Sequence, residues 1–253
     1  VESHLYSFSF EPNPNWSRQF SPQQEILKYM EHCAAKYDLN KHLQYNPTVT
    51  QALFNEKEAT WMVTAQGGNT FTTRAIISCS GGLSQPMYPD IKGIETFKGE
   101  MFHSAKWDKS FDWKNKTIAV IGTGASAIQI VPAIAADVKQ LCLFQRTPPW
   151  IMPKPDAEIS SLRKWLYNNL PYTQHLYRRR LYWQHELMAL GFIKHPGILK
   201  FASKLSLRFL KRSVSDEKLR KKLTPDYVMG CKRVLISNEY YPALVRKNVE
   251  VII

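Results

Sequence analysis

The sequence predicts an α/β protein with a parallel sheet and a helical insertion, and two observations carry this prediction. First, a β run at 117–121 leads through glycines into a helical pattern over 122–135, and a second β run follows at 140–144. Together they form a βαβ unit, which is typical of a doubly wound sheet. Second, residues 157–223 change to long, basic helices rich in aromatic side chains.

The other elements follow from local signals. Residues 21–37 predict a helix, because Ser21 can cap its start, Pro22 suits the first turn and the acidic Glu25 lies where the helix dipole favours negative charge. A turn is predicted at Gly67-Gly68-Asn69. Strand patterns are predicted for four further segments: 42–50, 60–65, 71–79 and 249–253, the last reached through residues 232–236.

The composition places the chain among ordinary globular proteins, with 253 residues of which 44% are hydrophobic and 22% charged. No segment of about eighteen apolar residues predicts a transmembrane helix, and the N-terminus lacks the features of a signal peptide. The four cysteines lie far apart without CxxC spacing, so we expect no metal site, no disulfide framework and a cytoplasmic location. Both ends stop within a pattern, and we expect a part of a longer polypeptide.

Positive charge is concentrated in one third of the chain. Of the net charge of +13, an excess of 11 lies between Asp156 and Arg233, where 17 lysines and arginines face 6 acidic residues. The run Arg178-Arg179-Arg180 invites a nucleic-acid interpretation, but no nucleic-acid-binding module accompanies it. We therefore expect no nucleic-acid partner and favour a solvated helical face, which leaves weak peripheral contact with a membrane surface open.

The segment Gly122-Thr123-Gly124-Ala125-Ser126-Ala127 matches the GxGxxG/A motif in the required strand-to-helix context. Its first glycine permits the tight turn, its second lets a pyrophosphate approach the backbone, and the helix N-terminus supplies N–H donors. The second strand ends in Gln145-Arg146-Thr147 without an acidic residue. Since Arg146 with the adjacent hydroxyl can bind a 2′-phosphate, the motif predicts NADP(H).

A second motif lies between the β regions. Phe97, Gly99, His103, Trp107 and Asp108 stand at the spacing FxGxxxHxxxW(D). This pattern resembles the fingerprint of the Baeyer–Villiger monooxygenase family, in which the histidine is thought to organise the joint between domains. The related flavin-containing monooxygenases usually carry Tyr where Trp107 stands.

The resemblance implies a two-dinucleotide-binding-domain flavoprotein with Rossmann-like FAD and NADP domains. The tail of the FAD domain would span 1–84, the NADP domain 85–152 and 228–253, and a helical insertion 153–227. It implies Arg233 as the active-site arginine. The NADP contacts implied by motif and resemblance are Gly122, Thr123, Gly124, Ala125, Ser126, Gln129, Arg146, Thr147 and Lys232. Tyr6 and Val49 are the implied FAD contacts.

Such a protein would use FAD, NADPH and O2 to convert a ketone to an ester or lactone through a flavin C4a-peroxide. The N-terminal flavin motif of the family is not found, so we expect this chain alone to bind FAD poorly and to be inactive. Two alternatives stay open: oxidation of nitrogen or sulfur centres by a flavin-containing monooxygenase, and a non-catalytic NADP-binding remnant.

Overall fold

The computed structural model describes residues 1–83, 85–193 and 196–253. The chain forms two compact units, one of Val1–Tyr29 with Ser110–Ile253 and one of Met30–Lys109. The helices are α1 (Ser3–Tyr6), α2 (Gln23–Lys36), α3 (Ala127–Ile134), α4 (Ser161–Asn169), α5 (Pro171–Ile193), α6 (Pro196–Ser213), α7 (Glu217–Lys222) and α8 (Tyr240–Leu244). The strands are β1 (Val49–Asn55), β2 (Thr60–Ala65), β3 (Thr70–Thr73), β4 (Thr117–Ile121), β5 (Gln140–Phe144), β6 (Ile151–Met152), β7 (Leu235–Ile236) and β8 (Val249–Ile252).

The larger unit is built on a parallel sheet of order β4-β5-β8. β4 pairs with β5 from Thr117 opposite Gln140 to Ile121 opposite Phe144, and β5 pairs with β8. α3 connects β4 to β5, so the predicted βαβ unit is confirmed. The predicted α/β class, with a Rossmann-like parallel sheet, is confirmed as well.

The core of this unit lies where α3 and α8 pack together beside the sheet. Val131 of α3, Leu141 and Leu143 of β5, and Tyr240 of α8 are fully buried there. Burial of the Val131, Leu141 and Leu143 side chains stabilises the fold by about 1.5–3 kcal/mol each. The side-chain amide of Asn248 donates to the carbonyls of Ala135 (2.9 Å) and Val138 (3.0 Å), which fixes the end of α3 to the start of β8.

The predicted change to long helices after residue 157 is confirmed by α4 to α7. A short parallel pair, β6 with β7, flanks these helices in the sequence. The buried Ser206 hydroxyl of α6 donates to the Ile151 carbonyl of β6 at 2.8 Å, so the helices are anchored to this pair.

The first residues of the chain pack on α5. One guanidinium nitrogen of Arg178 donates to the carbonyls of His4 and Ser7, at 2.6 Å each. The Gln174 amide donates to the Asn13 carbonyl at 2.7 Å. The first residues of the chain are therefore held by side chains that lie more than 160 residues away in the sequence.

The smaller unit contains an antiparallel sheet of order β1-β2-β3. The predicted strand at 60–65 and the turn at Gly67-Gly68 are confirmed, and the helix predicted at 21–37 is confirmed as α2. The predicted cap of that helix is wrong, because the Ser21 hydroxyl donates to the Arg18 carbonyl at 3.4 Å and accepts from no backbone N–H of α2 among the described residues. Two strand predictions are wrong in extent. Residues 42–50 begin in a 3-10 helix (Leu39–His42), and the strand starts only at Val49. Of residues 71–79 only those up to Thr73 are in a strand, and 74–79 pair with no described strand.

Among the residues that the structure describes, no helix is long and apolar enough to cross a membrane.

Candidate functional site

The turn between β4 and α3 is the centre of the predicted dinucleotide site. Gly122 has φ +100°, a conformation that residues with a Cβ rarely adopt, and its N–H donates to the Phe144 carbonyl at 2.9 Å. The Thr123 hydroxyl donates to the Thr147 carbonyl at 3.0 Å. The loops that follow β4 and β5 are thereby fixed side by side at the carboxyl edge of the sheet, where ligands bind in doubly wound folds.

The start of α3 offers hydrogen-bond donors. Within the described part of the chain, the N–H groups of Gly124, Ala125, Ser126 and Ala127 have no acceptor, and the Ser126 side chain does not cap the helix. A Cβ built on Gly124 would meet nothing within 4 Å. Donors without partners, a positive helix end and open space together form an environment that accepts an anion.

After β5 the chain buries the side chain of Gln145 and exposes that of the next residue, Arg146. Gln145 is 2% exposed, and its amide nitrogen donates to the Lys222 carbonyl at 2.8 Å. Arg146 is exposed beside it, and Thr147 is half-buried. Because Gln145 ties the strand end to the C-terminal turn of α7, the backbone that carries Arg146 is anchored on the opposite side. Gln129 is one of the predicted NADP contacts. In the structure its side-chain amide donates to the Ala125 carbonyl at 2.7 Å and so supports the glycine turn.

The loop that carries Lys232 and Arg233 is held by aromatic residues. The indole N–H of the buried Trp150 donates to the Tyr227 carbonyl at 3.0 Å, and the Trp150 carbonyl accepts from Leu235 N–H at 2.9 Å. The Lys232 ammonium lies 4.7 Å from the centre of the Tyr227 ring. Arg233 is exposed and lies two residues before β7.

The family-fingerprint residues form a local structure in the smaller unit. A Cβ on Gly99 would lie 2.6 Å from the exposed Phe97 ring, so this ring folds over the Gly99 backbone and would have to shift if a side chain were added there. The His103 imidazole Nδ1 accepts from the Ala105 N–H at 3.1 Å and caps a 3-10 turn. The Trp107 ring packs against Phe102 with 5.1 Å between centres. Asp108 is exposed. These contacts give the fingerprint a structural role in its own unit.

The two expected FAD contacts are exposed, Tyr6 in α1 of the larger unit and Val49 at the start of β1 in the smaller unit. Their role stays a prediction. No group of His, Cys, Asp or Glu side chains that could hold a metal ion occurs within the described ranges.

Sequence reasoning did not identify two contact groups, because each joins residues far apart in the chain. One is the Trp150–Tyr227 contact that holds the loop of Lys232. The other surrounds His4, which is 3% exposed and lies edge-on to Tyr167 and Tyr177, with ring centres 5.1 and 5.3 Å away. Burial, with the charges of Arg178 and Arg163, lowers the pKa of His4 to about 4. It is a neutral structural histidine above that pH.

Comparison with known proteins agrees with this architecture. The sequence model of the family described as flavin-binding monooxygenase-like matches residues 2–160. A Baeyer–Villiger monooxygenase of Pseudomonas aeruginosa is 46% identical over 252 residues, which cover 100% of this chain and 48% of the relative. A Baeyer–Villiger monooxygenase of Streptomyces coelicolor has the same identity and coverage. The chain thus spans about half the length of the curated relatives it matches.

Solved structures show the same likeness. An oxidised steroid monooxygenase bound to NADP superposes with a TM-score of 0.85 at 28% identity, over 100% of this chain and 55% of that one. The monooxygenase OTEMO in complex with FAD and NADP gives a TM-score of 0.81 at 31% identity, over 94% of this chain and 52% of that one. Since the family model spans more than half of the residues, the chain belongs to the flavin-binding monooxygenase-like family.

Proposed function

We propose that this chain is the NADPH-binding part of a Baeyer–Villiger monooxygenase, which uses FAD, NADPH and O2 to convert a ketone to an ester or lactone. The observation that carries the proposal is the glycine turn between β4 and α3, with four N–H groups that have no acceptor in the described part of the chain. The names and bound nucleotides of the similar proteins support it.

The turn fits the pyrophosphate of NADPH. Its oxygens accept hydrogen bonds, and the N–H groups of Gly124 to Ala127 supply donors without any rearrangement of the helix. Gly124 adds no side chain that would keep the phosphates away from these donors. Charge and hydrogen bonding therefore act together at one short segment.

Arg146 would select NADPH over NADH. Its guanidinium is exposed at the end of β5, beside the turn, and can form two charge-assisted hydrogen bonds with a 2′-phosphate. No carboxylate of the described residues pairs with it. Lys232, on the loop held by Trp150, would be a second cation for the nucleotide.

FAD, when bound, supplies the redox chemistry and the activation of O2. The described residues contain one strand–glycine–helix turn of this kind, so this chain's own contribution is the nicotinamide nucleotide. Tyr6 and Val49 would add peripheral contacts to the flavin. The boundaries 1–84, 85–152 with 228–253, and 153–227 remain our proposal for how the domains divide the chain.

Arg233 would act on the reacting atoms by charge. A guanidinium stays protonated throughout catalysis and can hold the negative charge that develops on the carbonyl oxygen when a ketone is attacked. The loop of Arg233 is fixed on one side by β7 and on the other by the Trp150–Tyr227 contact.

We further propose a reducing compartment such as the cytoplasm, since Cys33, Cys79, Cys142 and Cys231 are free.

The experiment uses the polypeptide as its source produces it. We expect NADPH to bind more tightly than NADH, and a cyclic ketone to yield a lactone with consumption of O2. Arg233→Ala should abolish lactone formation and keep NADPH binding, whereas Arg246→Ala, which changes another exposed arginine, should leave both unchanged.

Three outcomes would count against the proposal. Oxidation of a thioether without conversion of any ketone would indicate a flavin-containing monooxygenase that acts on nitrogen or sulfur. NADPH binding without O2 consumption would indicate a non-catalytic nucleotide-binding protein. Equal affinity for NADH and NADPH would remove the role of Arg146.

A further inference from the structure

α5 carries a row of exposed apolar side chains on the face opposite to its buried face. Gln174 and Leu181 are buried on the inner side of the helix. At 100° per residue, five exposed apolar side chains fall within a sector about 60° wide on another side. These are Tyr172, Leu176, Trp183, Leu187 and Leu190. A continuous exposed apolar row along a helix of 23 residues is typical of an interaction surface.

α6 continues this surface. Ile198, Phe201 and Leu205 recur at helical spacing and are exposed. α5 and α6 approach closely because Gly191 has no side chain, since a Cβ there would lie 3.1 Å from Ile198. An open depression of about 550 Å³ is lined by residues of both helices, among them Trp183, Leu187 and Ile198. We call these eight apolar residues of α5 and α6 the apolar stripe.

Basic residues border the apolar stripe. Arg179 and Arg180 stand on its two sides in α5, and Lys200, Lys204 and Arg208 lie next to it in α6. Residues 171–213 contain nine lysines and arginines and a single acidic residue, Glu186. None of the five bordering cations pairs with a carboxylate in the described part of the chain.

We propose that the apolar stripe docks on the surface of an anionic lipid bilayer. Trp183 and Tyr172 are residues that favour the membrane–water interface, and leucines beside them can enter the acyl region. The bordering arginines and lysines would contact anionic headgroups. A second copy of the chain fits less well, because two equally basic rims would repel each other. The helices would lie on the bilayer, since none of those described can cross it.

The experiment measures binding of the polypeptide, as its source produces it, to sedimented vesicles. One set consists of equal parts phosphatidylglycerol and phosphatidylcholine, and the other of phosphatidylcholine alone. We expect binding to the anionic set only, weakened by salt because exposed charges are screened. Vesicle binding is measured without substrate, so its failure does not bear on the proposed enzyme activity.

Two pairs of variants separate the apolar and the charged contributions. Trp183→Ser with Leu187→Ser should lower partitioning on the order of tenfold, and Arg179→Gln with Arg180→Gln on the order of 20-fold. Val245→Ser and Lys218→Gln are matched exposed controls outside the apolar stripe and should bind like the wild type. Because all these side chains are exposed, the variants should keep the thermal unfolding midpoint of the wild type.

Several results would overturn the proposal. Absence of binding to anionic vesicles would do so, as would equal binding to neutral vesicles or unchanged binding of both double variants. A dimer in solution that dissociates on Leu187→Ser, without vesicle binding, would assign the apolar stripe to self-association instead.

Discussion

Replacement of Gly122 and Gly124 by alanine separates backbone strain from ligand access at the turn between β4 and α3. Gly122 has φ +100°, so alanine there should cost about 1–2 kcal/mol of folding free energy and lower the unfolding midpoint by a few degrees. Gly124 has no left-handed φ, and its added Cβ meets nothing within 4 Å. Gly124→Ala should therefore leave the unfolding midpoint nearly unchanged.

NADPH binding should respond in the opposite order, with the larger loss of affinity in Gly124→Ala. The methyl group of Gly124→Ala occupies the space through which the pyrophosphate reaches the N–H groups of α3. Loss of one charged hydrogen bond costs about 1.5–3 kcal/mol, so the dissociation constant for NADPH should rise on the order of 10- to 100-fold. Titration calorimetry measures this constant, and thermal unfolding without ligand measures the strain at Gly122.

Gly197→Ala is the matched control, since its Cβ also meets open space but lies at the start of α6. It should change neither quantity. If Gly124→Ala binds NADPH as tightly as the wild type, the pyrophosphate does not approach this turn and our assignment of the nucleotide site is wrong.

Three further predictions test other parts of the larger unit. Arg146→Ala should weaken NADPH binding by on the order of tenfold and leave NADH binding unchanged, which parallel titrations measure; equal losses would contradict a 2′-phosphate contact. The lowered pKa of His4, from 6.5 to about 4, contributes stability that is present above pH 6.5 and lost as the pH falls toward 4. This contribution is about 3 kcal/mol, so unfolding midpoints of His4→Asn should depend less on pH in this range, and an unchanged dependence would argue against it. Asn248→Ala removes two hydrogen bonds to the end of α3 and should cost about 2 kcal/mol in urea unfolding, against almost no change for the exposed Lys247→Ala.

The sequence was sufficient for the βαβ unit because its signals are local. The apolar runs at 117–121 and 140–144 and the glycines between them specify strand, turn and helix within 30 residues. The same holds for α2, since Pro22 and Glu25 stand at its start, although the predicted cap Ser21 donates to the Arg18 carbonyl instead. Where local signals determined the structure, the prediction was confirmed.

Strand extent could not be predicted in the same way, since a strand needs a partner. The alternating pattern of residues 71–79 is compatible with a strand throughout, yet pairing with β2 stops at Thr73. For residues 42–50 the sequence itself contains a signal against a continuous strand. Asn46 has φ +76° and precedes a proline, a combination that interrupts an extended strand.

Contacts that depend on distant segments were also not predictable. Trp150 donates to Tyr227 across 77 residues, and no periodicity connects the two. The roles of Lys232 and Arg233 rested on family resemblance, whereas the structure adds the aromatic residues that hold their loop.

The bonds from Arg178 to the backbone of α1 bear on how this protein can be engineered. A designer who exchanges the α4–α7 helices for those of a relative would leave the first residues of the chain without their partners. The buried His4 would then lose the rings that surround it. The natural unit of exchange is therefore discontinuous: it comprises the N-terminal segment together with α4 and α5, and chimeras should be cut on that basis.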